Sequence, residues 1–125
     1  MSAYLWVGFG GFIGSVARYA VAVGFAPGPL GRFPSVTFAV NCLGCLLIGL
    51  LAGAFARTPV SEPVRLFFMT GILGGFTTFS AFGLESFALL RRGEPGLALL
   101  YTLGSVLVGI VAVWLGFRFG GGTSA

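Results

Sequence analysis

A chain of 125 residues that is 57% hydrophobic and 8% charged lies far from soluble domains, which carry about 25% charged residues. It reads as an all-α integral membrane protein with no soluble domain. All seven basic residues are scattered arginines set against three glutamates, for a net charge of +4, which argues against a nucleic-acid partner and leaves anionic lipid head groups as the match for the excess.

A bilayer-crossing helix needs roughly 20 apolar residues, so the chain accommodates four spans within residues 1–119 and a short disordered tail at 120–125. The first span is expected at 3–25, with Arg18 near its far end. It lacks a basic n-region and a small-residue cleavage site, so it reads as a retained span. Residues 26–32 are dense in helix breakers. The second span, 34–56, carries no charge but contains Asn41 and the pair Cys42 and Cys45. Redox or metal chemistry needs more ligands than the chain offers, since it has no histidine. The cysteines therefore read as small packing residues.

The third span, 66–90, holds the most informative stretch: Gly74-Gly75-Phe76-Thr77-Thr78-Phe79-Ser80-Ala81-Phe82. Two glycines followed by two threonines make a poor helix interior. A break in mid-span is tolerated where the freed backbone groups line a site. Phe79 and Phe82 share a helix face, with Glu85 and Ser86 on its continuation. The fourth span is expected at 97–117, with Tyr101, Thr102 and Ser105 in its first half.

Small residues recur at four-residue spacing: Gly10 and Gly14; Cys45, Gly49 and Gly53; Gly71 and Gly75; Ser105 and Gly109. Such faces let membrane helices approach closely. Tyr4, Trp6, Tyr19, Tyr101 and Trp114 fall near span ends, as interfacial belts do.

Four spans put both termini on one side. That side holds Arg57, Arg65 and Arg118; the other holds Arg32, Arg91 and Arg92, with Arg18 near its interface. Orientation follows the arginine and lysine bias of short loops, and here that bias nearly vanishes. Either other factors orient the chain, or copies insert both ways and pair antiparallel about an axis in the membrane plane.

Lone hydroxyls can bond back to their own helix, but Asn41 cannot hide in that way. It is either a helix-to-helix bond or a ligand donor. An aromatic ring presents a positive edge. A narrow path lined by Asn41, Phe79, Phe82 and Ser105 would suit a small anion, with weak serial sites of the kind conduction needs. Carbonyls freed near Gly74 and Thr77 offer the reverse. In an antiparallel dimer, those of both copies would meet on the axis and suit a bare monovalent cation such as sodium in a structural role.

These residues carry a family resemblance. Residues 10–19 (GGFIGSVARY), 37–44 (TFAVNCLG) and 71–82 (GILGGFTTFSAF), with Tyr101, Ser105 and Gly109, make the chain similar to the CrcB/Fluc family of fluoride channels, in order and over nearly its whole length. The resemblance implies an antiparallel, dual-topology homodimer in the cell membrane. Two parallel pores would pass fluoride out of the cytoplasm passively and so confer fluoride resistance. It further implies that Phe79 and Phe82 are pore phenylalanines and that Asn41 is a pore-lining donor. Ser80, Tyr101 and Ser105 would add polar groups, and Glu85 would lie near one pore end. Gly74 and Thr77 would give backbone carbonyls to a central sodium ion, and Arg18 matches the family's first-span arginine.

Two departures stand out. Gly109 occupies the position one turn beyond Ser105, where a further hydroxyl is common. Ser80 is followed by Ala81, where a second hydroxyl is common. The polar track is therefore thin. The main rival is a proton-coupled small multidrug-type exporter, but that chemistry needs a carboxylate in the first span, where this chain has Arg18. A nucleophile–base pair cannot be assembled from these residues, so an enzyme is not expected.

Overall fold

The computed structural model describes residues 2–25 and 33–123. The whole predicted 26–32 turn, including Arg32, lies outside the described residues, as do residues 1 and 124–125. The described chain is helical, without strands. Helix α1 is Ala3–Gly24 and α2 is Ser35–Arg57. Helix α3 (residues 62–76) is built from an α turn at Glu62–Arg65, a π-helical stretch at Leu66–Leu73 and a last α turn at Gly74–Phe76. Helix α4 is Phe79–Arg91 and α5 is Pro95–Phe119. Four stretches are long and apolar enough to cross a membrane: Ala3–Gly24, Ser35–Arg57, Glu62–Arg91 and Pro95–Phe119.

Two of these stretches begin before the apolar run that marks them in the sequence. Pro63 and Pro95 sit in the first turns of α3 and α5. There a missing amide hydrogen costs nothing and the fixed φ suits a helix start. Between α4 and α5, Gly93 takes a left-handed φ of 75°. Its N–H bonds the Leu90 carbonyl and that of Glu94 bonds the Leu89 carbonyl, so the helix end is closed in one tight turn.

The helices pair by small residues. α1 runs chiefly along α3, α2 runs along α5, and α4 rests on α5. A Cβ on Gly10 would come within 2.8 Å of the Gly71 Cα, and one on Gly75 within 2.6 Å of the Gly11 carbonyl oxygen. Gly14 faces the Ile72 carbonyl and the Phe76 amide, again with no room for a methyl group. On the other pair, Gly49 faces Val113, Gly53 faces Phe117, and Gly109 lies against the Cys45 Sγ. The packing role expected of Cys45 and of the glycine rows is what the contacts show. Their physical basis is close backbone approach, since lipid tails remove any hydrophobic drive between helices.

The interior is small. Leu89, Ala98 and Tyr101 form its buried centre, with Phe33, Phe38, Phe82 and Leu97 packed around them. Tyr101 is fully buried, so its expected place in an interfacial belt is corrected: it is a core residue. Its ring lies edge-on to Phe33, with centroids 5.4 Å apart. Tyr4, Tyr19 and Trp114 are exposed near helix ends, as belts require. Trp6 packs edge-on against Phe67, tying α1 to the start of the π stretch. Past α5, the N–H of Gly121 bonds the Arg118 carbonyl and that of Gly122 bonds the Phe117 carbonyl. A Cβ on Gly121 would stand 2.9 Å from the Arg57 Cδ. The C-terminal turn and the end of α2 therefore share one end of the bundle.

Candidate functional site

Helical geometry stops at Phe76 and resumes at Phe79. Thr77 (φ −86°, ψ 160°) and Thr78 (φ −149°, ψ 125°) are extended between them. The two glycines remain helical and the β-branched threonines take the extended conformation, in line with their preference for it. An extended pair inside an apolar span exposes backbone groups that must find partners. Three side chains, of Asn41, Thr78 and Arg18, answer that need.

Asn41 on α2 supplies the first pair of bonds. Its Nδ2 donates to the Thr78 carbonyl at 2.9 Å, and its Oδ1 accepts from the Thr78 N–H at 2.8 Å. Thr78 then caps α4, its Oγ1 accepting from the Ala81 N–H at 3.2 Å. The Thr77 hydroxyl donates back to the Leu73 carbonyl at 2.9 Å. From α1, Arg18 Nε donates to the Gly75 carbonyl at 3.2 Å, placing a cation on the negative end of α3.

The break takes the helical partners from the carbonyls of Gly74, Gly75, Phe76 and Thr77, and for two of them the amide is diverted to a side chain. In a continuing helix, Gly74 O would accept from the Thr78 N–H and Thr77 O from the Ala81 N–H. Both amides are turned to side-chain oxygens instead, of Asn41 and Thr78. Gly75 O, between them in sequence, is taken by Arg18. Among the described residues no group of three or more His, Cys, Asp or Glu could hold a metal ion. The oxygens that could meet a cation here are those of backbone carbonyls and of the Asn41, Thr77, Thr78 and Ser105 side chains.

A cavity of about 360 Å³ opens beside the extended pair, with Asn41, Gly74, Thr77, Phe79, Phe82 and Ser105 among the residues that line it. The Phe79 and Phe82 rings have centroids 5.7 Å apart and are tilted by 43°. Phe79 is 83% exposed, so its edge is free to meet whatever enters. The Ser105 Oγ is buried without a hydrogen-bond partner among the described residues, in an apolar span where such a group is costly. The positive end of α4 and the negative end of α3 meet at the same place. The arrangement can therefore receive an anion on one side and a cation on the other.

The other candidates lie around this cavity. Glu85 stands beyond Phe82, whose ring lies 5.1 Å from that of Tyr101. Tyr101 OH donates to Glu85 Oε1 at 3.0 Å and Thr37 Oγ1 donates to Glu85 Oε2 at 2.9 Å, so α2, α4 and α5 are tied at one carboxylate. The sequence reading passed over Thr37 as a site residue. The signal was its place four residues before Asn41, on the same face of α2. Ser80 is exposed beside the helix cap, with its Oγ 3.4 Å from the Thr78 Oγ1. Arg18 acts from the α1 side of α3. The π stretch was also missed, because nothing in its composition separates it from an α-helix.

Comparison with known proteins places these residues among relatives. Residues 5–117 match the model of the family described as CrcB-like protein, Camphor Resistance (CrcB). The chain is 47% identical over 120 residues to the fluoride-specific ion channel FluC of Methylobacillus flagellatus, covering 94% of each chain. It is 49% identical over 119 residues to the protein of that name from Novosphingobium aromaticivorans, covering 93% of this chain and 94% of that one. With a protein of the same name from Thermus thermophilus it shares 46% identity over 122 residues, 97% of each.

Proposed function

The chain belongs to the CrcB family, and from that premise we propose that it is a fluoride-selective ion channel that lets cytoplasmic fluoride leave passively, down its electrochemical gradient. It is a multi-pass protein of the cell membrane, and it is not an enzyme. The observation that carries the reading is the cavity that gathers Asn41, Phe79, Phe82 and Ser105.

A small anion entering there meets groups suited to replace its water. The Asn41 Nδ2 carries two hydrogens and spends one on Thr78, leaving the other for an anion. The Ser105 hydroxyl has no protein partner among the described residues. The phenylalanine edges are weakly positive. None of the residues lining the cavity is a fixed cation that would trap the ion, as fast conduction requires. Beyond Phe82, the single protons of the Tyr101 and Thr37 hydroxyls are both spent on Glu85, so the donors for an anion are those of Asn41 and Ser105.

The working unit in this proposal is an antiparallel homodimer of dual-topology chains. Its support is the near balance of arginines between the two sides and the broad apolar surface of a single copy. A sodium ion would sit at the dimer centre on the Gly74 and Thr77 carbonyls. The support for those two is that their helical amide partners are diverted to side chains. Bound there, sodium would offset the negative end of α3 and hold the extended pairs of both copies together. A proton-coupled exporter is not favoured: α1 has no acidic residue, and its one charge is engaged with the Gly75 carbonyl.

The test is ion efflux from liposomes holding the purified protein, with fluoride and chloride compared in the presence of a potassium ionophore. Fast, voltage-driven fluoride efflux without chloride efflux is expected. Efflux that requires a proton gradient would make the protein an exchanger. No fluoride efflux from well-folded protein would overturn the channel reading.

A further inference from the structure

Gly44 lies three residues after Asn41, on the same face of α2. Both residues meet the extended pair, but in different ways. Asn41 grips the Thr78 peptide through two hydrogen bonds. Gly44 is buried and receives the Thr77 side chain, whose Cγ2 methyl occupies the space a Cβ on Gly44 would need.

The methyl cannot turn away freely. Thr77 is β-branched, so few χ1 rotamers are open to it. Its hydroxyl is bonded to the Leu73 carbonyl at 2.9 Å, which selects one of them. The methyl is then directed at Gly44, and the Thr77 main chain is held at a fixed distance from α2. The next atoms a Gly44 Cβ would meet are the Thr77 Cβ at 3.6 Å and the Phe76 Cδ2 at 3.8 Å, both in ordinary contact range. The conflict at this position therefore comes from one methyl group alone.

From this we infer that Gly44 is a positioning residue. By admitting the Thr77 methyl it sets where the Thr77 carbonyl stands, and so sets the affinity of the site for a monovalent cation. The inference rests on the proposed sodium reading and deepens it. It assigns to the second span a role in cation binding that no ligand atom of Gly44 supplies. Asn41 and Gly44 together locate the extended pair, one by attraction and the other by leaving space.

The experiment measures the sodium dependence of the unfolding temperature in detergent, and of fluoride efflux from liposomes, for three proteins: the parent, Gly44→Ala, and Gly44→Ala with Thr77→Ser. Serine keeps the hydroxyl bond to Leu73 and lacks the methyl. The alanine variant is expected to need about tenfold more sodium for the same rise in unfolding temperature and for half-maximal efflux, and the double variant to return to within about threefold of the parent. An unchanged sodium midpoint in folded Gly44→Ala would overturn the inference. So would a shifted midpoint that Thr77→Ser does not restore. If Gly44→Ala alone does not fold, the double variant carries the test: it must fold and show the parental midpoint, and a folded double variant with a shifted one overturns the assignment. A parent whose unfolding temperature ignores sodium would instead remove the cation site itself, so the two failures are distinct.

Discussion

The seam between α1 and α3 and the junction where α2 meets Thr77 and Thr78 hold the third span by opposite means. The seam is backbone against backbone: Gly10 and Gly14 face Phe67, Gly71, Ile72 and Phe76, and Gly75 faces the Gly11 backbone, with no space for a side chain on Gly10, Gly14 or Gly75. A polar bond runs from Arg18 to the Gly75 carbonyl, at the end of the contact. The junction is side chain against backbone, where Asn41 and Thr78 replace bonds that an unbroken helix would have made for itself. A seam made of absent side chains leaves no room for a bound ion, whereas the junction made of polar ones lies beside a cavity.

The comparison can be broken from either side. Gly14→Ala sets a methyl against the Ile72 carbonyl and the Phe76 amide, neither of which can yield. It should cost about 3 kcal/mol and lower the folded fraction in a detergent thermal unfolding assay. Asn41→Asp removes the donor to the Thr78 carbonyl and adds negative charge to the cavity. Fluoride efflux should fall by about a hundredfold, the equivalent of losing a charge-assisted hydrogen bond; normal efflux would exclude Asn41 from the path. Phe79→Ile keeps most of the volume at an exposed position. It should slow efflux by about tenfold while the unfolding midpoint moves by the equivalent of less than about 1.5 kcal/mol. Gly8→Ala is the control for the seam, since nothing lies within 4 Å of a Cβ there. It should leave efflux unchanged and stabilise α1 by up to about 1 kcal/mol, through helix propensity alone. A destabilised Gly8→Ala would show that glycine acts in α1 by something other than close contact.

The pattern of small residues made much of this arrangement readable beforehand. Four-residue spacing specifies a helix face, and a face of glycines has one physical use between membrane helices. Asn41, Phe79, Phe82 and Ser105 were marked because polar or aromatic groups beside a mid-span irregularity have few ordinary explanations, and they do line one cavity. Tyr101 was misplaced because position along a span suggests depth, whereas burial depends on which neighbours close over the ring. Here Phe33, Phe82 and the Glu85 carboxylate do so. Thr37 was passed over because its partner, Glu85, is 48 residues away.

By itself the sequence determined the number of spans, their approximate ends, the faces that pack and the place where the third span's helix is interrupted. Each of these is local, written in hydropathy, glycine spacing and helix propensity along one stretch of chain. Only the tertiary structure decided how the departure is resolved. The glycines stay helical against α1, the threonines take the extended turn, and Asn41 and Arg18 reach from two other helices to occupy particular backbone groups. Which carbonyls are left over depends on which are claimed by side chains distant in sequence, and that sum exists only once the helices stand together.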